Sequence, residues 1–134
     1  MPGTKTTFEK ALLAIHKSYL HPVAALMKKV NVHGMAHITG GGLYDNVPRV
    51  LPGNVDAVFD RATWKTPAIF EFIEEAGKVD HEEMYRVFNM GIGYVIMVAK
   101  KDAEKTLTIL KANKQRALAV GEVVAGSGKS VLVN

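Results

Sequence analysis

The chain has 134 residues, 48% hydrophobic and 22% charged, with a net charge of +4 and no cysteine. That length suits one domain with a real core, and the composition excludes a disordered tail, a disulfide framework and a cysteine-held metal. Basic residues fall in scattered pairs, such as Lys28-Lys29 and Lys100-Lys101, among acidic ones, so the expected partner is a small phosphorylated anion and not nucleic acid.

Residues 7–14 read as a short helix, with Thr6 or Thr7 as N-cap and Glu9 in the first turn. Residues 15–20 show no clear period. Pro22 suits the first turn of a helix whose apolar face carries Val23, Leu26, Met27 and Val30. Residues 34–39 read as a strand, broken by Gly40, Gly41 and Gly42. A helix carrying Leu43, Val47 and Val50 is expected to start there, with Pro48 early in it or kinking it.

Val55, Ala57 and Phe59 alternate with Asp56, Val58 and Asp60, which predicts a strand. Thr66-Pro67 opens a helix with Ile69, Phe70, Phe72 and Ile73 on its apolar side, and Gly77 is expected to stop it. Asp80 caps a second helix over 82–87, with Glu83 at the capping-box position. Residues 91–99 are almost wholly apolar, as in a strand covered on both faces. Residues 102–112 form an amphipathic helix with Ala103, Leu107 and Leu110 on one side, and 117–124 and 130–133 are the last strands. The fold class expected is α+β, a mixed β-sheet with helices packed on it. The opening residues lack a signal peptide's order, and the run at 91–99 is far too short to cross a bilayer, so a soluble cytoplasmic protein without a membrane partner is expected.

The most informative segment runs from Ala36 through His37, Ile38 and Thr39 to Gly40, Gly41, Gly42 and Leu43. Glycines let the backbone turn sharply and approach a ligand, and the amides opening the next helix favour an anion. The plainer reading is a tight turn, although three glycines are more than a turn needs. His37 and Thr39 share one strand face. His37 would orient substrate or exchange protons there, or else lie buried and bonded to backbone. In the second cluster, Asn89, Gly91 and Gly93 either close a helix in left-handed conformations or line a cleft.

Other patterns fail. Residues 126–130 end like a P-loop, but Val123 stands where its first glycine belongs and no helix can follow. Gly91-Ile92-Gly93 lacks the third glycine of a dinucleotide fingerprint, with Ile96 in its place. His33 and His37 lack a third zinc ligand. The pairs Glu74-Glu75 and Glu82-Glu83 fall on solvated helix faces.

Met35-Ala36-His37-Ile38-Thr39-Gly40-Gly41-Gly42, with Asn46-Val47-Pro48-Arg49-Val50-Leu51-Pro52, resembles the hallmark of aminoimidazole ribonucleotide synthetases, the phosphoribosylformylglycinamidine cyclo-ligases. Residues 83–93 are similar to that family's second block, Val120-Gly121-Glu122-Val123 to its closing strand, and 12–20 to the segment joining its two domains. Many members have Pro-Thr-Arg-Ile-Tyr where this chain has Ile15-His16-Lys17-Ser18-Tyr19.

The resemblance implies the C-terminal, substrate-side domain of such an enzyme, over 21–134, preceded by a connecting segment at 1–20. An N-terminal ATP-binding domain is then expected outside this sequence, and the chain alone is expected to be inactive. The activity implied is ATP-dependent closure of formylglycinamidine ribonucleotide to aminoimidazole ribonucleotide in purine biosynthesis. ATP and magnesium are expected on the N-terminal domain and no cofactor on this chain alone. The implied partners are the ribonucleotide, that N-terminal domain and a second copy in a homodimer. By the same resemblance Thr39, Gly40, Gly41 and Gly42 hold phosphate, His37 assists the reacting amide, Asn46 and Arg49 support the loop or the anion, and Asn89, Gly91 and Gly93 line the opposing wall. Related readings are the lid or substrate module of a formylglycinamidine ribonucleotide synthetase or selenophosphate synthetase, or a non-catalytic nucleotide-binding domain. An apolar face where the missing domain packs is also expected.

Overall fold

A computed structural model describes residues 5–133. In chain order, the helices are α1 (Phe8–Leu12), α2 (Leu20–Met27), α3 (Gly42–Asn46), α4 (Ala68–Gly77), α5 (His81–Val87) and α6 (Ala103–Ala112). The strands are β1 (Val32–His37), β2 (Val55–Asp60), β3 (Tyr94–Val98), β4 (Gly121–Ala125) and β5 (Ser130–Val133). The α+β class holds, but the strands divide into two sheets. β1 and β3 form an antiparallel ribbon, and β2 lies between antiparallel β4 and parallel β5. Among the described residues no helix is long and apolar enough to cross a membrane.

Local chemistry explains several boundaries. The Thr7 hydroxyl accepts from the Lys10 amide at 3.3 Å, and the Asp80 carboxylate accepts from Glu82 and Glu83 amides at 3.0 and 3.2 Å, which satisfies otherwise orphaned helix donors. The expected third helix stops after five residues, because Pro48 has no amide hydrogen and its ring conflicts with the carbonyl four residues back. Pro48–Val50 becomes a separate 3₁₀ turn.

Other boundaries moved. Gly77 does not stop α4 by itself: it is the last helical residue, and Lys78 takes the left-handed cap at φ 49°. α2 ends at Met27, so Val30 reaches the core from the turn beyond. β3 starts only at Tyr94, because Met90 and Gly91 have positive φ and turn the chain first. Pairing along β4 begins at Gly121, where β2 runs out: the Asp60 amide already donates to the Val120 carbonyl. On α6 the buried residues are Thr106, Ile109 and Leu110, while Leu107 is half-buried. Thr106 tolerates burial because its hydroxyl donates to the Asp102 carbonyl at 2.8 Å.

Three apolar clusters follow from this arrangement. Ala36, Ile38, Leu43, Val47, Ala57, Phe59 and Val95 fill the space between the two sheets. Leu26 and Val30 meet Ile109 and Leu110 where α2 and α6 cover the ribbon. Met84, Tyr85 and Met90 form a third cluster beneath α4 and α5. Truncating a fully buried side chain such as Leu26 or Met84 to alanine costs about 2–5 kcal/mol. All five residues of β4 are exposed, Val123 by 47%, and Leu12, Leu13 and Ile15 are exposed as well.

The rejected P-loop look-alike has a physical explanation. Asp56 Oδ1 accepts from the Ser127 and Lys129 amides, each at 2.8 Å, so the chain's own carboxylate occupies the donors a phosphate would need. Those two backbone hydrogen bonds hold the Asp56 carboxyl below the usual aspartate range. A depressed carboxylate contributes stability above its unfolded value, about 3.9, and loses it as pH falls through the folded value. The Asp56 carboxyl is therefore predicted to titrate below 3.9 by NMR, and Asp56→Asn to lose more denaturation midpoint at pH 7 than at pH 2. Titration at or above 3.9 would refute this role.

Candidate functional site

β1 delivers the chain to the glycine turn. The Ile38 amide extends the ribbon by donating to the Gly93 carbonyl at 3.0 Å, and the Gly42 amide closes the turn on the Thr39 carbonyl at 3.1 Å. Gly41 and Gly42 have φ of 97° and 55°, a region that side chains disfavour. A Cβ on Gly42 would also overlap the Tyr85 carbonyl oxygen and come within 2.8 Å of the Phe88 carbonyl oxygen. α3 can seat against the end of α5 only because position 42 is glycine.

Gly40 differs from both. Its φ is not positive, a Cβ there would meet nothing within 4 Å, and it is exposed. Two of the three glycines are thus demanded by the backbone, and one has no structural reason. The buried Asn46 amide ties the turn together, donating to the carbonyls of Gly42 at 2.8 Å, Gly40 at 3.2 Å and Thr39 at 3.4 Å. Thr39 returns a long hydroxyl contact to the Asn46 carbonyl at 3.5 Å. Asn46 therefore supports the loop. Arg49 is exposed on the 3₁₀ turn, and among the described residues no hydrogen bond or ion pair links it to the glycines.

His37 and Thr39 do share an exposed face, with Ala36 and Ile38 buried on the other. The reading of His37 as a buried histidine bonded to backbone is overturned. Its ring packs instead among His16, Tyr19 and Tyr94, at centroid distances of 5.2, 6.1 and 6.1 Å.

The second cluster is a turn that also faces a cleft. Asn89 Oδ1 accepts from the Gly91 amide at 2.9 Å, while the left-handed conformations fall to Met90 at φ 48° and Gly91 at φ 102°, not to Asn89. Trp64 steadies the strained Met90 by donating its indole N–H to the Met90 carbonyl at 3.1 Å. A Cβ on Gly91 would press on Pro67, and one on Gly93 would overlap the Tyr19 hydroxyl. Gly91 and Gly93, but not Asn89, line a groove of about 740 Å³ that runs past Tyr19, Trp64, Lys65 and Tyr94.

One network was not foreseen. Glu82, expected on a solvated face, is bonded by Arg61 at 2.6 Å and by the Tyr44 hydroxyl at 3.0 Å. Arg61 lies over the Tyr85 ring at 4.5 Å and Arg86 over the Tyr44 ring at 4.9 Å. The Arg61 hydrogen bond, helped by Tyr44 and opposed by partial burial, holds Glu82 below the usual carboxylate range. Glu74 likewise contacts His81 at 2.8 Å. No local pattern announces these partners, because Tyr44, Arg61 and Glu82 come from three separate elements.

The contrast between the glycines is measurable. Gly42→Ala combines a strained φ with overlap on backbone, and is predicted to cost roughly 2–5 kcal/mol. Gly40→Ala is predicted to stay within about 0.5 kcal/mol of the parent. Urea denaturation of both variants checks this, and equal midpoints would contradict the assignment.

Comparison with known proteins agrees with the early resemblance. A phosphoribosylformylglycinamidine cyclo-ligase of Alkaliphilus metalliredigens is 39% identical over 130 residues, covering 97% of this chain and 38% of the relative. Those of Lysinibacillus sphaericus and Coxiella burnetii are 41% and 47% identical over 119 and 116 residues, covering 89% and 87% of this chain. The chain spans about a third of the length of these relatives, 34% and 33% for the latter two. Residues 5–134 match the family model described as AIR synthase related protein, C-terminal domain, and the chain belongs to that family.

Proposed function

We propose that this chain is the substrate-side domain of an ATP-dependent phosphoribosylformylglycinamidine cyclo-ligase. The family match and the names of the relatives support the enzyme class. The observation that carries the site is Gly40, a glycine that neither φ nor packing requires, on an exposed turn braced by Asn46. Absence of a side chain there leaves room for a ligand to reach backbone, which is the reason to assign the phosphate of the ribonucleotide to this turn.

In the proposed reaction the formyl amide oxygen becomes a phosphorylated leaving group. The amidine nitrogen then attacks that carbon, phosphate departs and the imidazole ring closes. On this chain, His37 lies on the exposed face leading into the glycine turn, where it would position the reacting amide or take up a proton. Gly91 and Gly93 would border the cleft on the other side. ATP and magnesium are assigned to the N-terminal domain of the full-length protein, which is proposed to work as a cytoplasmic homodimer. The exposed apolar residues of β4 are where the rest of that protein would pack.

NMR titration of the labelled chain with formylglycinamidine ribonucleotide, and separately with Mg-ATP, tests this division of labour. The ribonucleotide is expected to shift the Gly40 and Gly41 amides, Mg-ATP to leave them in place, and Gly40→Val to abolish the response while keeping the native spectrum elsewhere. Shifts with Mg-ATP instead, or an undiminished response in Gly40→Val, would overturn it.

A further inference from the structure

We propose that His16, Tyr19, His37 and Tyr94 form a stacking platform for a flat, nitrogen-containing heterocycle, beside the turn assigned to its phosphate. This inference rests on the functional reading above and adds the part of the site that recognises the ring.

Three separate stretches of chain converge to build the cluster. The antiparallel register puts His37 directly opposite Tyr94, so their side chains stand together on one face of the ribbon. Gly93, lacking a Cβ, leaves the space that the Tyr19 hydroxyl enters. Tyr19 and Tyr94 then lie 5.0 Å apart at 34°, and His16 meets His37 edge-on at 5.2 Å and 88°. These are the separations of mutually attracting rings, so the four hold one another in place.

A cluster made only to brace the chain would consume its polar edges. Here, among the described residues, no hydrogen bond reaches either imidazole or the Tyr19 hydroxyl, and Tyr94 makes only a long contact to the Met35 sulfur at 3.8 Å. His16 and His37 are exposed, and Tyr19 and Tyr94 are half-buried. The platform thus offers ring faces together with unused donors and acceptors, the combination that a heterocycle with ring nitrogens and an amino group would satisfy.

Its position agrees with the glycine turn. Gly40 follows His37 by three residues, so the platform adjoins the turn assigned to the phosphate. The acyclic formylglycinamidine moiety has no aromatic face. The platform should therefore favour the closed imidazole over the open precursor, and help hold the reacting atoms flat as the ring forms.

The test uses two fragments of a ribonucleotide on the whole chain, with NMR as readout. 5-Aminoimidazole-4-carboxamide riboside carries the ring without phosphate, and ribose 5-phosphate carries phosphate without the ring. The riboside is expected to shift the ring protons of Tyr19, Tyr94 and His37, with upfield shifts of its own imidazole proton. Tyr94→Leu and His37→Ala are each expected to weaken it roughly tenfold, about 1.4 kcal/mol. His37→Phe, which keeps a flat ring but no ring nitrogens, should bind more tightly than His37→Ala and less tightly than the parent, a result that separates stacking from hydrogen bonding. His37 is exposed, so its variants report on binding even if Tyr94→Leu unfolds. Riboside shifts that miss these rings, or equal binding by His37→Ala, would overturn the platform. Ribose 5-phosphate binding at the turn without any riboside binding would sink the platform alone, and the reverse would sink the phosphate assignment alone.

Discussion

The constraint on which the site depends is the seat of Gly42 against the Tyr85 and Phe88 carbonyls at the end of α5. No other residue type fits there, and its positive φ turns the chain from β1 into α3. Because α3 is locked to α5 at that point, Leu43 and Val47 reach the inter-sheet core and Tyr44 reaches Glu82. Asn46, buried a turn later, fastens the carbonyls of the glycine turn from below. The exposed Gly40 is held through its carbonyl by Asn46 without contributing a side chain itself.

The two Gly-rich segments with local amide donors end differently. At Gly126-Ser127-Gly128 the chain spends its amides on Asp56, which secures the connection between β4 and β5 and leaves nothing for a ligand. At the turn after β1 nothing lies within 4 Å of where a Cβ on Gly40 would be, while the exposed Asp45 carboxylate stands beside Gly41. The Glu82 carboxylate is neutralised by Arg61, so its charge is balanced within α5 and β2's end instead of opposing an anion nearby. Loop geometry thus makes Gly40, and not the Gly41 side that Asp45 flanks, the place where a ligand can approach this turn.

Features set by neighbouring residues were legible in the sequence. The alternation of Val55, Ala57 and Phe59 placed β2, and Thr7 and Asp80 placed two helix starts, because each depends on chemistry within a few residues. The glycine turn was legible as a turn for the same reason. Its division into two structural glycines and one open one was not, since that depends on Tyr85, which belongs to α5. Asn46 was foreseen as support for the loop or the anion, and its three carbonyl contacts lie on the loop. Glu82 is exposed as expected, but its bonds to Arg61 and Tyr44 were not legible because both approach it from distant parts of the chain. The neighbours of His37 were hidden for a related reason: His16 and Tyr19 lie in the segment with no readable period, and Tyr94 meets His37 only through strand register.

The central claim is that the glycine turn is a preorganised element, rigid before any ligand arrives. ¹⁵N relaxation of the free chain measures this directly through the backbone order parameters of residues 40–43. The account predicts values near those of β1 and α5, about 0.85, despite three consecutive glycines. Values below about 0.6, with β1 and α5 still rigid, would show a flexible loop and contradict it.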